Sequence, residues 1–530
     1  MRTPDVHREI ERKLEVPDGF RVPRPTALAG MAGAARAEVR PTLQLEATYF
    51  DTADLRLARQ RVTLRRRTGG DDDGWHLKLP PDDVEPQDGA GAAADGTDDP
   101  VSDHARDELH LPLATPGATP QSPPDALATI VLGITRGAPL APVATLHTTR
   151  RRVALTGADG QPLAELTDDR VRVVARGRTT SRFRELEVEA AGGRTADDLD
   201  AVVAGLIAAG ATESNFMSKA VRALGPAAQG PPDIVAADEV TPQQPAGAAV
   251  RAHLARHAAA FQAEDLRLRR DLPDAVHQMR VAARRLRSGL QVFGPLVDRE
   301  WGQQLGHELA WFADRLGTSR DREVLQQRLL AGLEALHHPD ASLAERLVRR
   351  RLQAEAAAAR RQVTGDMTTQ RYLALLDALV LAANDPPLTA AAEGTCADVL
   401  PPLVTKAWRR LAREVAGLRR TSSDEEWHRA RIRAKRARYA VGAVAPVFGK
   451  PARQFERQLE FVTGELGRHQ DAAIAAQVAQ QLAGGRGVSG RAGFVLGLLY
   501  AAQRAEAAEV RRTFLRRWPD VARPRRRRWL

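Results

Sequence analysis

Within the first 225 residues, apolar and polar side chains alternate with period two along several short runs. Thr48-Tyr-Phe-Asp51, Val62-Thr-Leu-Arg-Arg-Arg67, Trp75-His-Leu-Lys-Leu79, Val153-Ala-Leu-Thr156, Val171-Arg-Val-Val174 and Arg184-Glu-Leu-Glu-Val-Glu189 read as strands. Leu199, Val202, Val203 and Leu206 instead follow helical spacing. The pattern predicts a mostly antiparallel sheet or barrel with flanking helices. Beyond residue 245 it changes to long Ala/Leu/Arg segments with three- and four-residue spacing, which predict an all-helical region. Between the two, residues 225–247 are rich in Pro and Gly and read as a linker. Residues 80–103, with hardly a large apolar side chain, are expected to be a mobile loop, and residues 116–124 a second loop.

The helical half contains a repeat. His277-Gln-Met-Arg-Val-Ala-Ala-Arg-Arg-Leu-Arg-Ser288 matches His428-Arg-Ala-Arg-Ile-Arg-Ala-Lys-Arg-Ala-Arg-Tyr439, and a second matching helix carries Asp321 in one copy and Asp471 in the other. From histidine to aspartate is 321 − 277 = 44 residues in the first copy and 471 − 428 = 43 in the second. Agreement across two helices and a loop marks a duplicated unit.

Charge separates the halves further. Residues 1–240 hold 29 Lys+Arg against 37 Asp+Glu, and residues 241–530 hold 49 against 30, so balances of −8 and +19 lie behind the overall +11. The basic half is suited to a polyanion. Its repeat places the cations: His277, Arg280, Arg284 and Arg287 stand at offsets 0, 3, 7 and 10, and His428, Arg431, Lys435 and Arg438 repeat them. At about 100° per residue these offsets fall within an arc of roughly 80° on one helix face. Met279, Ala283, Leu286, Leu290 and Phe293 form the opposite, core-facing stripe. A single basic face is most often solvated surface, but this stripe has no acidic member and recurs in phase in both copies. His253 and His257 are weaker candidates for the same face. One cysteine, Cys396, excludes a disulfide framework and a thiolate zinc site. No apolar run approaches the roughly 18 to 20 residues needed to cross a bilayer, and the first residues lack the apolar core of a signal peptide, so a cytoplasmic protein is expected.

The His-x-x-Arg-x-x-x-Arg/Lys-Arg-x-Arg helix with the Leu-Gly-x-x-x-Asp helix resembles the CHAD family across residues 245–520. The resemblance implies two repeated four-helix units that bind inorganic polyphosphate on His277, Arg280, Arg284, Arg287, His428, Arg431, Lys435 and Arg438, as a receptor and not an enzyme. The basic tail, residues 521–530, is either a further phosphate contact or a solvated end.

In the first half, Glu9, Glu11 and Lys13 share one face of a strand, Arg65 and Arg67 alternate on another, and Glu185, Glu187 and Glu189 form an acidic row. Carboxylates are hard ligands for Mg²⁺ or Mn²⁺, and Arg and Lys hold phosphate oxygens. Glu9-Ile-Glu-Arg-Lys13, Thr48-Tyr-Phe-Asp-Thr-x-Asp-Leu55, Leu64-Arg-Arg-Arg67, Trp75-His-Leu-Lys-Leu-Pro80, Glu185-Leu-Glu-Val-Glu189 and Ser218-Lys-Ala-Val-Arg-Ala-Leu224 resemble, in order over residues 3–225, the CYTH family of triphosphate tunnel metalloenzymes. The resemblance implies an eight-stranded antiparallel tunnel open at both ends. Glu9, Glu11, Glu187 and Glu189 would bind metal, with Asp168 or Asp169 a further carboxylate. Glu9, Glu11 and Lys13 would carry the catalysis, and Lys13, Arg65, Arg67, Lys78, Arg150 (chosen from Arg150, Arg151 and Arg152) and Lys219 would cradle the phosphates. Arg61 stands where the family often has glycine.

The expected organisation is therefore α+β: a tunnel barrel over residues 3–225, a linker over 226–244, an all-α domain over 245–520 and the tail. The expected function is a triphosphatase that uses Mg²⁺ or Mn²⁺ to split tripolyphosphate into pyrophosphate and phosphate. A polyphosphate-binding domain would localise or regulate it, with polyphosphate granules as a place of association. Adenylate cyclase or thiamine-triphosphatase activity, and a tunnel that binds without turnover, stay open. Nucleic acid is not expected, since aromatic residues are only 4% and stacking platforms are scarce.

Overall fold

The computed structural model describes residues 5–82, 105–115, 117–175, 177–215 and 218–530. Most of the Asp/Gly/Ala-rich insertion, residues 83–104, and Pro116 in the second proposed loop lie outside them. The chain divides into two compact units, residues 1–233 and 234–530.

The first unit is built on strands β1 (Asp5–Glu15), β2 (Arg36–Asp51), β3 (Thr63–Thr68), β4 (Gly74–Leu79), β5 (Ala105–Leu111), β6 (Ala141–Thr156), β7 (Pro162–Ala175) and β8 (Arg178–Ala190), with a two-residue β9 (Thr212–Glu213) added beside β1. Their order is β5-β4-β3-β2-β6-β7-β8-β1, and β1 pairs again with β5, so eight antiparallel strands close on themselves. Closure gives the sheet two environments. Outside, Leu14, Leu166, Leu186 and Val188 meet Leu28 of α1 (Pro25–Met31) and Val202, Val203 and Leu206 of α4 (Asp200–Ala208) in one apolar core. Two further helices, α2 (Arg56–Arg59) and α3 (Asp125–Thr135), flank the barrel.

Inside, one stretch is apolar. Ala47 and Tyr49, with Leu146 and Val173 across the strands, pack on Ala220 of α5 (Lys219–Leu224). Helix α5 therefore covers the inner face at that end, which differs from a tunnel open at both ends. Ser218 caps α5 by accepting from the Val221 N–H and so fixes the helix start at Lys219. Arg61, at the turn into β3, has φ 59°. The turn keeps the left-handed conformation that glycine adopts freely, here with an arginine side chain.

The second unit contains α6 (Ala246–Arg269), α7 (Ala275–Val292), α8 (Arg299–Ala335), α9 (Ala341–Asp366), α10 (Gln370–Asn384), α11 (Cys396–Gly417), α12 (Asp424–Phe448), α13 (Lys450–Ala483) and α14 (Gly490–Val521). The duplicated segments are α7–α8 and α12–α13, within the four-helix units α6–α9 and α11–α14. Helix α10 is an addition between the units, tied to α6 by the Tyr372 hydroxyl, which donates to Asp265 at 2.6 Å. Met279, Ala283, Leu286, Leu290 and Phe293 are all buried. The basic tail is not a free arm: Trp529 packs against Phe448 and Phe455, and the Arg527 guanidinium lies 4.3 Å over Trp408.

Candidate functional site

Inside the barrel, strand alternation brings the charged rows together. Glu11 faces Glu189 and Lys13 faces Glu187 across β1 and β8, while Lys78 faces Glu108 across β4 and β5. The result is a cavity of about 220 Å³ whose lining includes Glu9, Glu11, Lys13, Arg65, Arg67, Lys78, Arg150, Glu187, Glu189 and Lys219. Without a guest, acids and bases neutralise each other. Lys78 pairs with Glu9, and Lys13 with Glu11 at 2.6 Å. Lys219 reaches Glu187 at 2.6 Å, Glu185 at 2.7 Å and Asp169 at 3.1 Å. Arg150 reaches Asp169 at 2.6 Å and Glu187 at 3.0 Å.

Two groups are shifted strongly even so, although Arg67 pairs with Asp72. Burial, then Arg65 and Arg150, pull Arg67 down to about 9. Burial, then the negative charges of Glu9 and Glu11, push Glu189 up to about 8. Despite burial, Lys219, Lys13 and Arg150 hold Glu187 well below the usual carboxylate range. Glu189 therefore keeps its proton at neutral pH, among carboxylates whose repulsion a cation would relieve, and Arg67 sits among like charges that a polyanion would offset.

Of the paired aspartates on β7, the tunnel takes Asp169. Asp168 points to the other face, where it accepts from Arg184 at 2.7 and 2.9 Å while the same guanidinium donates to the Asp18 and Phe20 carbonyls. Asp168 is therefore a structural anchor and not a metal ligand, because a shift of one residue in a strand reverses the face. Arg150, rather than Arg151 or Arg152, joins Asp169 and Glu187; Arg152 pairs with Asp71. Sequence reasoning missed Glu108, which lies 3.5 Å from Arg65 and 2.8 Å from His76 and lines the cavity with Arg106. Its signal was the alternation Arg106, Glu108, His110 immediately after the insertion.

In the second unit, the two basic stripes converge. The Arg284 and Arg285 guanidiniums of α7 lie 5.6 and 5.4 Å over Tyr439 of α12. Burial, then Arg431, Arg284 and Arg280, pull Lys435 down to about 7. The acids missing from the stripe come from neighbouring helices: Arg280 pairs with Asp321 at 2.5 Å on α8, and Arg438 with Glu460 at 2.6 Å on α13. His428 bonds Gln470 at 2.9 Å through Nδ1, and His277 and Arg287 lie half-buried on α7. His253 and His257 belong elsewhere. Their rings stack edge-on at 4.5 Å, and His253 Nε2 donates to the Arg285 carbonyl; burial keeps both neutral.

Family models match a CYTH domain over residues 7–206 and a CHAD domain over residues 252–480. An uncharacterized protein of Mycobacterium tuberculosis H37Rv, Rv2226, is 34% identical over 545 residues, which cover 96% of this chain and 94% of that one. The chain belongs to the CYTH–CHAD proteins. Among solved structures it is similar to PptA from Streptomyces chartreusis (29% identity, 52% of this chain and 100% of that one, TM-score 0.47). It is also similar to the CHAD domain from the plant Ricinus communis (25% identity, 53% and 94%, TM-score 0.44).

CYTH domains are in general phosphate-transfer or hydrolytic enzymes, typically metal-dependent. The CYTH domain here fits a hard divalent cation by its donor set: Glu9, Glu11, Glu187 and Glu189 are all oxygen donors, and the repulsion of Glu9 and Glu11 that raises Glu189 is one a cation relieves. Among the described residues, no three such groups already converge as a ligand set. Glu9 and Glu11 are instead held by Lys78 and Lys13, which must yield to a metal ion. No helix of the described residues is long and apolar enough to cross a membrane.

In the CHAD domain, if a bound anion meets Lys435, the binding depends on pH through that lysine. Its folded value is depressed, so the free side chain loses its charge as pH rises through about 7, and a bound polyanion raises it again. Polyphosphate affinity should fall several-fold between pH 7 and 8.5, above the ordinary histidine range. Binding at pH 8 should take up a proton, visible in calorimetric heats that vary with buffer ionisation enthalpy. Lys435→Arg should flatten both effects; an unchanged profile would show that Lys435 does not meet the anion.

Proposed function

We propose that the CYTH domain hydrolyses inorganic tripolyphosphate to pyrophosphate and phosphate with Mg²⁺ or Mn²⁺. We further propose that the CHAD domain binds long-chain polyphosphate on α7 and α12 and so localises or regulates the enzyme. The observation that carries the reading is the opposition of a carboxylate wall (β1, β8) and a cation wall (β3, β4, β6, α5) across one small buried cavity. Arg65, Arg67, Lys78 and Arg150 would hold the phosphate oxygens and Lys219 would keep Glu187 ionised for the metal. Glu9, Glu11, Glu187 and Glu189 would hold the ion, whose chemistry would be to neutralise charge on the phosphates and orient water. In hydrolysis, water would add to the terminal phosphorus as the bridging P–O bond breaks, its proton would pass to the phosphate products, and Arg65, Arg67 and Arg150 would hold the leaving pyrophosphate. Lys13, beside Glu11 and Glu187, would exchange its carboxylate partners for the chain as the substrate enters.

The lining favours an inorganic chain over a nucleotide. Tyr49 is the one phenyl-type ring among the lining residues, and its hydroxyl faces Arg65 at 3.5 Å. Turnover across tripolyphosphate, ATP and thiamine triphosphate tests this. The expected kcat/KM for tripolyphosphate is at least about 10-fold above the others, a margin of roughly 1.4 kcal/mol. Cyclic AMP with pyrophosphate from ATP would favour the cyclase, and no turnover with either metal would favour a binder. For the CHAD domain, long-chain polyphosphate should compete out DNA and RNA at equal phosphate concentration and stated salt.

A further inference from the structure

The CHAD domain carries a second cationic surface that its duplication explains only in part. On α11, Lys406, Arg410 and Arg413 stand at offsets 0, 4 and 7; on α12, Arg429, Arg433 and Arg436 repeat those offsets. At about 100° per residue, the α12 set lies on the flank of the helix opposite the His428–Arg438 stripe. In the first repeat, the positions matching Arg429 and Arg433 are Gln278 and Ala282, while Arg436 matches Arg285, so two of the three α12 cations belong to the second repeat alone.

These cations flank a groove and are scarcely neutralised. Arg429 pairs with Glu414 at 3.3 Å, but among the described residues no acid pairs with Lys406, Arg410, Arg413, Arg433 or Arg436. Burial together with Arg433 and Arg410 pulls Arg436 below the ordinary arginine value. Like charges gathered on two facing helices, with acids meeting only Arg429 among the described residues, cost free energy that an anion recovers.

The groove is more than a charged surface. At one end it deepens into a cavity of about 290 Å³ with an apolar floor of Val292, Pro295, Leu403 and Ala407. Ser288 and Gln291 line the same cavity, and Lys406, Arg410, Arg433 and Arg436 complete it. Inorganic polyphosphate has no use for an apolar floor. A cavity of this size and lining suits a small organic molecule. A hydroxyl and a carboxamide offer both donors and acceptors to a heterocycle's edge, and guanidiniums stack on flat rings as well as binding phosphates. The open continuation, lined by Arg410, Arg413, Arg429 and Arg433 with Glu414 and Glu426, gives room for a phosphate chain on its cationic side.

We propose that the α11–α12 groove is a nucleoside-polyphosphate site, with the base in the apolar cavity and the phosphates on the facing cations, separate from the polyphosphate stripe. The site needs neither a metal nor turnover in the tunnel, so its failure and failure of the triphosphatase reading are separable.

The test is photolabelling of the full-length protein with 8-azido-ATP, with the label mapped by peptide mass spectrometry. Label is expected on peptides spanning residues 403–436, with ATP protecting at least 10-fold better than tripolyphosphate at equal concentration. Arg410→Gln with Arg436→Gln should abolish that label and leave labelling of tunnel peptides and long-chain polyphosphate binding intact. Ala407→Phe, which fills the floor and keeps every charge, should also abolish it. An unchanged melting temperature in each variant shows that the loss is local. Label confined to tunnel peptides, equal protection by tripolyphosphate, or retained labelling in the Ala407→Phe protein overturns the proposal.

Discussion

Glu9→Gln combined with Glu11→Gln should lower tripolyphosphate turnover by at least about 10³-fold while leaving the substrate bound as tightly as before, or more tightly. Both carboxylates face a cavity whose opposite wall is cationic, and both are more than nine-tenths buried. Neutralising them removes two negative charges that repel a polyanion, and it frees Lys78 and Lys13 to meet phosphate. Ground-state binding has no reason to weaken. On the proposed reading, what goes is the oxygen donor set for the divalent ion, and with it stabilisation that matters in the transition state alone. The prediction is therefore a split: kcat collapses, while calorimetric affinity for tripolyphosphate measured in chelator holds or rises. A parallel loss of affinity would mean that Glu9 and Glu11 shape the cavity and do not hold metal. Circular dichroism on the same samples separates either outcome from misfolding.

Arg184→Ala should destabilise the CYTH domain by about 3–5 kcal/mol, the usual consequence of leaving one member of a buried ion pair alone. Asp168 and Arg184 are each about 5% exposed and meet through two hydrogen bonds, and Arg184 also satisfies two backbone carbonyls before α1. The truncation therefore strands a carboxylate and two acceptors together. Asp168→Leu with Arg184→Leu should recover part of the loss by removing the charge. Thermal unfolding of the three proteins at pH 7 checks this: the single variant should melt lowest. If the double variant melts lower than the single, the pair matters for its backbone contacts and not its charge. Because the pair faces away from the tunnel, residual folded Arg184→Ala protein should keep its KM.

Much of this architecture is legible in the sequence because two periods carry it. Alternation put Glu9, Glu11 and Lys13 on one face, and closure of the barrel set that face opposite Arg65, Arg67 and Lys78. The same alternation made Asp168 the weak point, since adjacent aspartates differ only in face, and strand register is settled by Arg184 and Arg150 on neighbouring strands. Glu108 stayed hidden because its strand follows a long insertion with no motif to anchor it. In the helical half, heptad-like offsets fixed the cation stripes, yet Asp321 and Glu460, which partly neutralise them, lie 41 and 22 residues from their partners. Such pairings depend on how helices pack, and no local period reports that. The additional helix α10 was invisible for the same reason: its Leu-rich pattern reads as helix but not as an interruption of a repeat.

Strand β1 has its neighbours far downstream, on β5 around residue 108 and on β8 around residue 187. A nascent chain therefore holds Glu9 and Glu11 without Glu187 and Glu189 until nearly the whole domain has been synthesised, and contacts of such long sequence separation form slowly. Barrel closure and assembly of the carboxylate wall become one event, so a partly made chain has neither a sealed sheet nor the charged lining of the cavity.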